Sequence, residues 1–131
     1  MLLLDHVSIT VQDLDRARPF YDAVMAALGA EKVFDRFDAL GYGERCDGEH
    51  TEHTYLTVTA SPEVAPDLLR HWCFKAGSHA QVNAFYKQGL QAGGHDDGRP
   101  GYRHGYHRDY YSAYLLDPDG NRIEAVSHRP E

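Results

Sequence analysis

The sequence is short of cysteine, of positive charge and of long apolar runs, and each shortage excludes a class of protein. Two cysteines, Cys46 and Cys73, are too few and too far apart for a disulfide framework, so a reducing cytoplasm is the expected setting. No apolar stretch approaches the roughly 20 residues a membrane helix needs. The opening Met1-Leu2-Leu3-Leu4 is cut off by Asp5, too little for the core of a secretory signal. Lysine and arginine total 13 against 20 acidic residues, a formal net charge of −7. Nucleic acid and anionic membrane are therefore not expected as partners, because both call for a basic footprint. Arg99, Arg103 and Arg108 do cluster, but Asp96, Asp97 and Asp109 lie among them.

Histidine and tyrosine are abundant instead, nine of each. Both can ligate metals or move protons, so their placement carries more than their number. The remaining composition, 42% hydrophobic and 25% charged over 131 residues, suits one domain spanning 1–131 with a core that needs no staples.

Residues 5–11 alternate as a strand, with Val7, Ile9 and Val11 on one face and His6, Ser8 and Thr10 on the other. A helix is expected next, capped by Asp13 or Asp15, with Ala17, Phe20, Tyr21, Val24 and Leu28 as its apolar stripe and Gly29 closing it. Asp15 as the cap would keep Pro19 close to the start of the helix, where proline is best tolerated. The same pattern returns 65 positions later. In the strand from His71 to Ala76, Trp72, Phe74 and Ala76 oppose His71, Cys73 and Lys75. Ser78 and Gln81 form a capping box, Val82, Phe85, Tyr86 and Leu90 form a stripe, and Gly93-Gly94 ends it. Without a gap, His6 lies over His71, Phe20 over Phe85, Tyr21 over Tyr86, Ala27 over Ala92 and Gly29 over Gly94. An internal duplication is the simplest explanation.

Strand-like stretches follow each helix, at 32–44 and 53–60, then at 102–116 and 121–127. Asp117-Pro118-Asp119-Gly120-Asn121 joins the last two as a turn, Pro118 presetting it and Gly120 supplying a positive φ. The expected fold is α+β: two tandem βαβββ modules, 4–60 and 69–127, joined by a linker at 61–68. Their sheets should form a curved mixed cup with helices on the outer face. Neither half can bury a sheet face alone, so the modules pack together or with a second chain, and a homodimer is expected.

With helices on the apolar faces, His6 and His71 point to the open side, and Glu124, opposite in phase to Ile123 and Ala125, joins them. Two imidazoles and a carboxylate suffice as a first shell for a divalent metal. Taken singly, a strand histidine or a glutamate near a C-terminus is ordinarily a solvated side chain, so the register between repeats is what raises these three. In the dense segment Gly101–Tyr114, His107 or Tyr106 could act as a proton donor and Arg103 or Arg108 as an anion clamp. Tyr110, Tyr111 and Tyr114 read as sheet residues, since aromatics suit strands, and Cys73 reads as a small buried thiol.

His6 at the head of its strand, the helix DLDRARPFYDAVMAALG, the repeated His71 strand and the closing DPDGNRIEAV together resemble the vicinal oxygen chelate superfamily over residues 4–127. That superfamily contains glyoxalase I, fosfomycin-resistance thiol transferases, extradiol dioxygenases and bleomycin-binding proteins. The resemblance implies metal ligands at His6, His71 and Glu124, holding Fe, Mn, Ni or Zn. It implies a small substrate bound through vicinal oxygens by a dioxygenase, lyase, isomerase or thiol transferase. The alternative it carries is a metal-free small-molecule binder of the bleomycin-resistance type. One departure concerns the fourth ligand of glyoxalase I-like members, a Glu or Gln on the last strand of the first module. His53–Thr59 holds no carboxylate, so the set resembles the three-ligand sites of the dioxygenases and fosfomycin enzymes.

Overall fold

The structure is a computed structural model describing residues 3–67 and 69–131. Met1 and Leu2 of the opening apolar run, and Leu68 at the end of the expected linker, lie outside the described residues. The order is β1 (His6–Val11), α1 (Leu14–Ala27), β2 (Lys32–Asp35), β3 (Ala39–Gly43) and β4 (Tyr55–Ala60), then β5 (His71–Lys75), α2 (His79–Gln91), β6 (His95–Tyr102), β7 (Tyr111–Leu116) and β8 (Arg122–Ser127). The two tandem βαβββ modules of an α+β fold are present. Each forms a four-stranded mixed sheet, ordered β1-β4-β3-β2 and β5-β8-β7-β6. The first strand of each module pairs in parallel with the last, His6 level with Tyr55 and His71 level with Arg122. The two sheets are separate hydrogen-bonded units, so β1 and β5 each stand at an edge.

One apolar core serves both modules, because α1 packs on α2 and Phe20, Val24, Phe85, Leu115 and Ile123 belong to a single cluster. Gly89 is where the helices cross: a Cβ there would come within 2.9 Å of Val24 Cγ1 and press on Leu115. The expected α2 stripe is thus corrected. Gly89 is buried, while Leu90 is 37% exposed, since close helix approach favours the residue without a side chain. The β7–β8 turn ties module 2 to module 1. Gly120 has φ 94°, Tyr21 Oη donates to Asp117 Oδ2 at 2.6 Å, Gln12 N donates to Asp119 Oδ2 at 2.6 Å, and Asn121 Nδ2 donates to Thr10 O at 3.1 Å.

Of the two possible α1 caps, Asp13 is the one used, its side chain accepting from Asp15 N at 2.9 Å and Arg16 N at 3.3 Å. Pro19 therefore lies inside the helix, beyond the free amides. It is exposed, as is Asp15, so the carbonyl of Asp15 that loses a donor can turn to water. At α2 the cap is Ser78, accepting from Gln81 N, while Gln81 Oε1 reaches back to Gly77 N at 2.6 Å, one residue before the usual capping-box partner. A larger difference is β6. The expected strand over 102–116 is instead His95–Tyr102, a loop through 103–110, and β7. Gly98, Pro100 and Gly101 conceal β6 in the sequence, and its pairing with β7 slips between Asp96 and Gly98 and again before Gly101. Pro100 is tolerated because β6 is an edge strand.

Candidate functional site

The helices cover the faces carrying Ile9, Leu56, Ile123 and Ala113, leaving the opposite faces free of helix. On the module 2 face, register places Cys73, Glu124 and Tyr114 side by side across β5, β8 and β7. Glu124 is the most deeply buried acid there, 1% exposed. His71 approaches it, Nε2 to Oε2 3.9 Å, with 41% of the imidazole open to solvent. The His71 ring also lies 5.8 Å from that of Tyr114.

Tyr110 closes over this pair. Its hydroxyl donates to Glu124 Oε1 at 2.7 Å, with Oε2 at 3.2 Å. Burial first, and then the hydrogen bond to Glu124, hold this phenol well above its ordinary range, so it remains a donor. The Tyr114 phenol is raised for the same reasons. Cys73, expected to be buried, is exposed as a residue, but its sulfur lies against Glu124, and desolvation there, then the Glu124 charge, push the thiol up. A neutral thiol is a poor nucleophile and a poor metal ligand.

The expected metal ligands divide between two faces. His71 and Glu124 come together, whereas His6 stands on the module 1 sheet, its Nδ1 2.7 Å from Asp5 Oδ2 and its ring stacked on Tyr55 at 5.0 Å. Among the described residues no three His, Cys, Asp or Glu side chains form a metal-sized group. Nor does module 1 offer a fourth ligand: β4 has no carboxylate, and His53 turns away to Glu44 Oε2 at 2.9 Å and Arg45 O at 2.9 Å. Between the modules lies a mainly apolar cavity of about 550 Å³, walled by Met25, Leu28, Leu56, Trp72 and Phe74, with His6 and Cys73 on its lining.

The 103–110 loop holds the other candidates. His107 Nδ1 accepts from Asp109 N at 3.1 Å, so its Nε2 carries the proton and donates to His128 Nδ1 at 2.8 Å. Its partner is thus His128 rather than Glu124. Tyr106 is 69% exposed and packs its ring 4.7 Å from that of Tyr110. Arg108 is 91% exposed, while Arg103 lies half-buried over Tyr114, guanidinium to ring centroid 5.8 Å. The residue that sequence reasoning missed is Tyr110. Its sequence pattern is that of a sheet residue, but it lies just before β7, and the loop geometry brings its hydroxyl onto Glu124.

The donor set can be tested against a divalent ion. Nitrogen and oxygen ligands about 2.0–2.2 Å from a metal lie about 3 Å apart. His71 Nε2 and Glu124 Oε2 lie 3.9 Å apart, somewhat wider than that, and 41% of the imidazole is open to solvent. The pair fits as part of a shell, with at least one further donor needed.

Comparison with known proteins agrees with this architecture. The family model described as Glyoxalase/Bleomycin resistance protein/Dioxygenase superfamily matches residues 3–125. Among solved structures, a glyoxalase/bleomycin resistance protein from Albidiferax ferrireducens is 31% identical with a TM-score of 0.78, covering 98% of this chain and 99% of its own. A glyoxalase-related enzyme from Fulvimarina pelagi shares the fold at 16% identity and TM-score 0.68, over 97% of this chain and 88% of its own. A glyoxalase/bleomycin resistance protein/dioxygenase family enzyme from Burkholderia phytofirmans does so at 19% identity and TM-score 0.67, over 95% of this chain and 98% of its own. No curated protein matches significantly. With the family model spanning nearly the whole chain and both modules in place, the chain belongs to the Glyoxalase/Bleomycin resistance protein/Dioxygenase superfamily.

Proposed function

We propose that this protein is a metal-dependent enzyme that holds a small substrate by two neighbouring oxygens, with His71 and Glu124 of one chain and His6 of a second chain as ligands. The observation that carries the reading is Glu124, 1% exposed on a helix-free sheet face with His71 3.9 Å away. A carboxylate buried that deeply is costly unless a cation or a proton meets it. The Tyr110 hydrogen bond offsets part of that cost and a metal ion would offset the rest.

Each residue has a definite task. Glu124 supplies the negative charge, and Tyr110 fixes the carboxylate by donating to it. His71 provides a neutral nitrogen from the solvent side. Cys73 and Tyr114 flank the carboxylate as neutral walls. A divalent metal held by these residues would supply Lewis-acid polarisation of the substrate's oxygens.

His6 comes from another copy in this reading because β1 and β5 are edge strands, each with one side of its backbone unpaired by the sheet. Free edges invite pairing, and a two-fold dimer would set β1 of one chain against β5 of the other, twice. Leu3 and Leu4, 80% and 52% exposed just before β1, add apolar surface for such a contact. A second reading, a metal-free binder of small molecules, is favoured by the apolar cavity between the modules.

Metal analysis separates the two readings. Protein purified without chelator or histidine tag should carry stoichiometric metal, lost in Glu124→Gln and in His71→Ala, with the fold intact in both. Tyr111→Phe, whose hydroxyl meets Asn83, should keep the metal. Retention of metal by both site variants would put the binder reading ahead.

A further inference from the structure

The module 2 face carries a cation on a support that the metal site does not require. Arg103 leaves the end of β6 and lays its guanidinium back across that strand. A Cβ added at Gly98 would lie 3.3 Å from Nη2, and one added at Gly101 would lie 3.3 Å from Nη1. The two glycines thus form a shelf that any side chain would crowd, at the point where β6 slips register against β7. Nη2 donates to Arg99 O at 2.8 Å, and the Tyr114 ring lies beside the group, 5.8 Å from centroid to guanidinium carbon. Such a mounting fixes a planar fork of donors in one orientation and spares the entropy that a free arginine loses on binding.

The charges nearby leave this fork unmatched. Arg122 has its own partner, Nε to Asp97 Oδ2 at 2.8 Å. No carboxylate pairs with Arg103 among the described residues, and its hydrogen bond goes to a carbonyl. Tyr114 connects the fork to the metal pair, level with Glu124 across β7 and β8 and 5.8 Å from the His71 ring. Arg108, the other arginine of the loop, projects into solvent at 91% exposure and has no such mounting.

We infer that Arg103, seated on the Gly98–Gly101 shelf, is the specificity-determining residue of this site, and that the substrate carries an oxyanion group beside its pair of metal-facing oxygens. A planar fork binds carboxylate, phosphonate or phosphate through two parallel hydrogen bonds. The inference rests on the proposed function in taking this face as the substrate side, but binding at the fork itself needs no metal.

The experiment uses the full-length chain, freed of metal with a chelator and titrated with inorganic phosphate or, in a parallel arm, acetate, followed by amide and guanidinium NMR shifts. Saturable shifts centred on Gly98, Gly101 and Arg103 are expected, and the tighter of the two anions names the class of oxyanion. Arg103→Gln should weaken that binding by about tenfold or more, the loss expected for charge-assisted hydrogen bonds. Arg103→Lys, which keeps the charge but loses the fork, should fall between, and Arg108→Gln should bind as the unaltered protein does. Equal affinity in Arg103→Gln, no saturable binding of either anion, or shifts centred on the α2 N-terminus instead would overturn the inference. Loss of metal binding in a separate assay would overturn the metal reading and leave the phosphate result standing, so the two can fail separately.

Discussion

Replacing Tyr110 by Phe removes one hydroxyl and leaves the ring that packs against Tyr106 and His128. The lost group is the donor to Glu124, 2.7 Å from Oε1 and 3.2 Å from Oε2. Hydrogen bonds to charged groups contribute about 1.5–3 kcal/mol, and because Tyr110 is only half-buried, the lower end, about 1.5 kcal/mol, is the expected loss of stability in metal-free protein. Urea unfolding of the chelated protein measures it as a shift in midpoint at constant slope. Metal affinity should fall as well, by roughly 10–100-fold, the usual effect of removing a group that orients a ligand. Tyr111→Phe removes a hydroxyl bonded to Asn83 at an exposed site and should change neither quantity much. A Tyr110→Phe protein with stability within about 0.5 kcal/mol of the parent and unchanged metal affinity would refute the idea that this phenol holds the carboxylate.

Three further outcomes follow from the packing and the charges. Gly89→Val should cost about 2 kcal/mol or more by overfilling the α1–α2 crossing against Val24 and Leu115, read by thermal unfolding; a neutral result would mean that the helices are not in close contact there. Tyr21→Phe should cost about 2 kcal/mol, because burial keeps the Tyr21 phenol protonated and donating to Asp117, which anchors the β7–β8 turn; an unchanged urea midpoint would contradict the anchor. The Lys32 hydrogen bond holds the Asp35 carboxyl below its ordinary range, so its contribution to stability is present above the usual aspartate value and fades as pH falls through the lowered one. Lys32→Met should move the Asp35 titration upward in carboxyl NMR, and an unmoved titration would remove that ion pair from the account.

Much of the architecture is legible because the chain writes its module twice. The 65-residue offset that aligns His6 with His71 also aligns the start of α1 at Leu14 with the start of α2 at His79, and the alternation in 5–11 and 71–76 assigns the polar faces. The Asp117–Asn121 turn declares itself through Pro118 and Gly120. What stays hidden depends on contacts distant in sequence. β6 breaks the strand pattern with Gly98, Pro100 and Gly101; in the fold Gly98 closes on the Tyr114 ring and the Arg103 guanidinium lies against both glycines. Gly89 reads as a weak helix residue until α1 is packed on it. Tyr110 and Tyr111 look alike in sequence, yet the end of a loop sends one hydroxyl to Glu124 and the start of a strand sends the other to Asn83. The separation of His6 from His71 and Glu124 is set by how the modules dock, which no periodicity within either module encodes.

The central claim, a metal site shared between two copies, is tested most directly by mixing two inactive variants. His6→Ala and His71→Ala chains are each prepared metal-free, mixed in equal amounts, exchanged through mild denaturation and assayed for bound metal. If the ligands come from different chains, neither variant alone binds metal, but the mixed dimer rebuilds one intact site from the His6 of one chain and the His71 and Glu124 of the other. Random pairing then restores about one quarter of the sites found in the unaltered protein. Recovery near that level is the predicted result, and a mixture that binds no more metal than the separate variants contradicts the account.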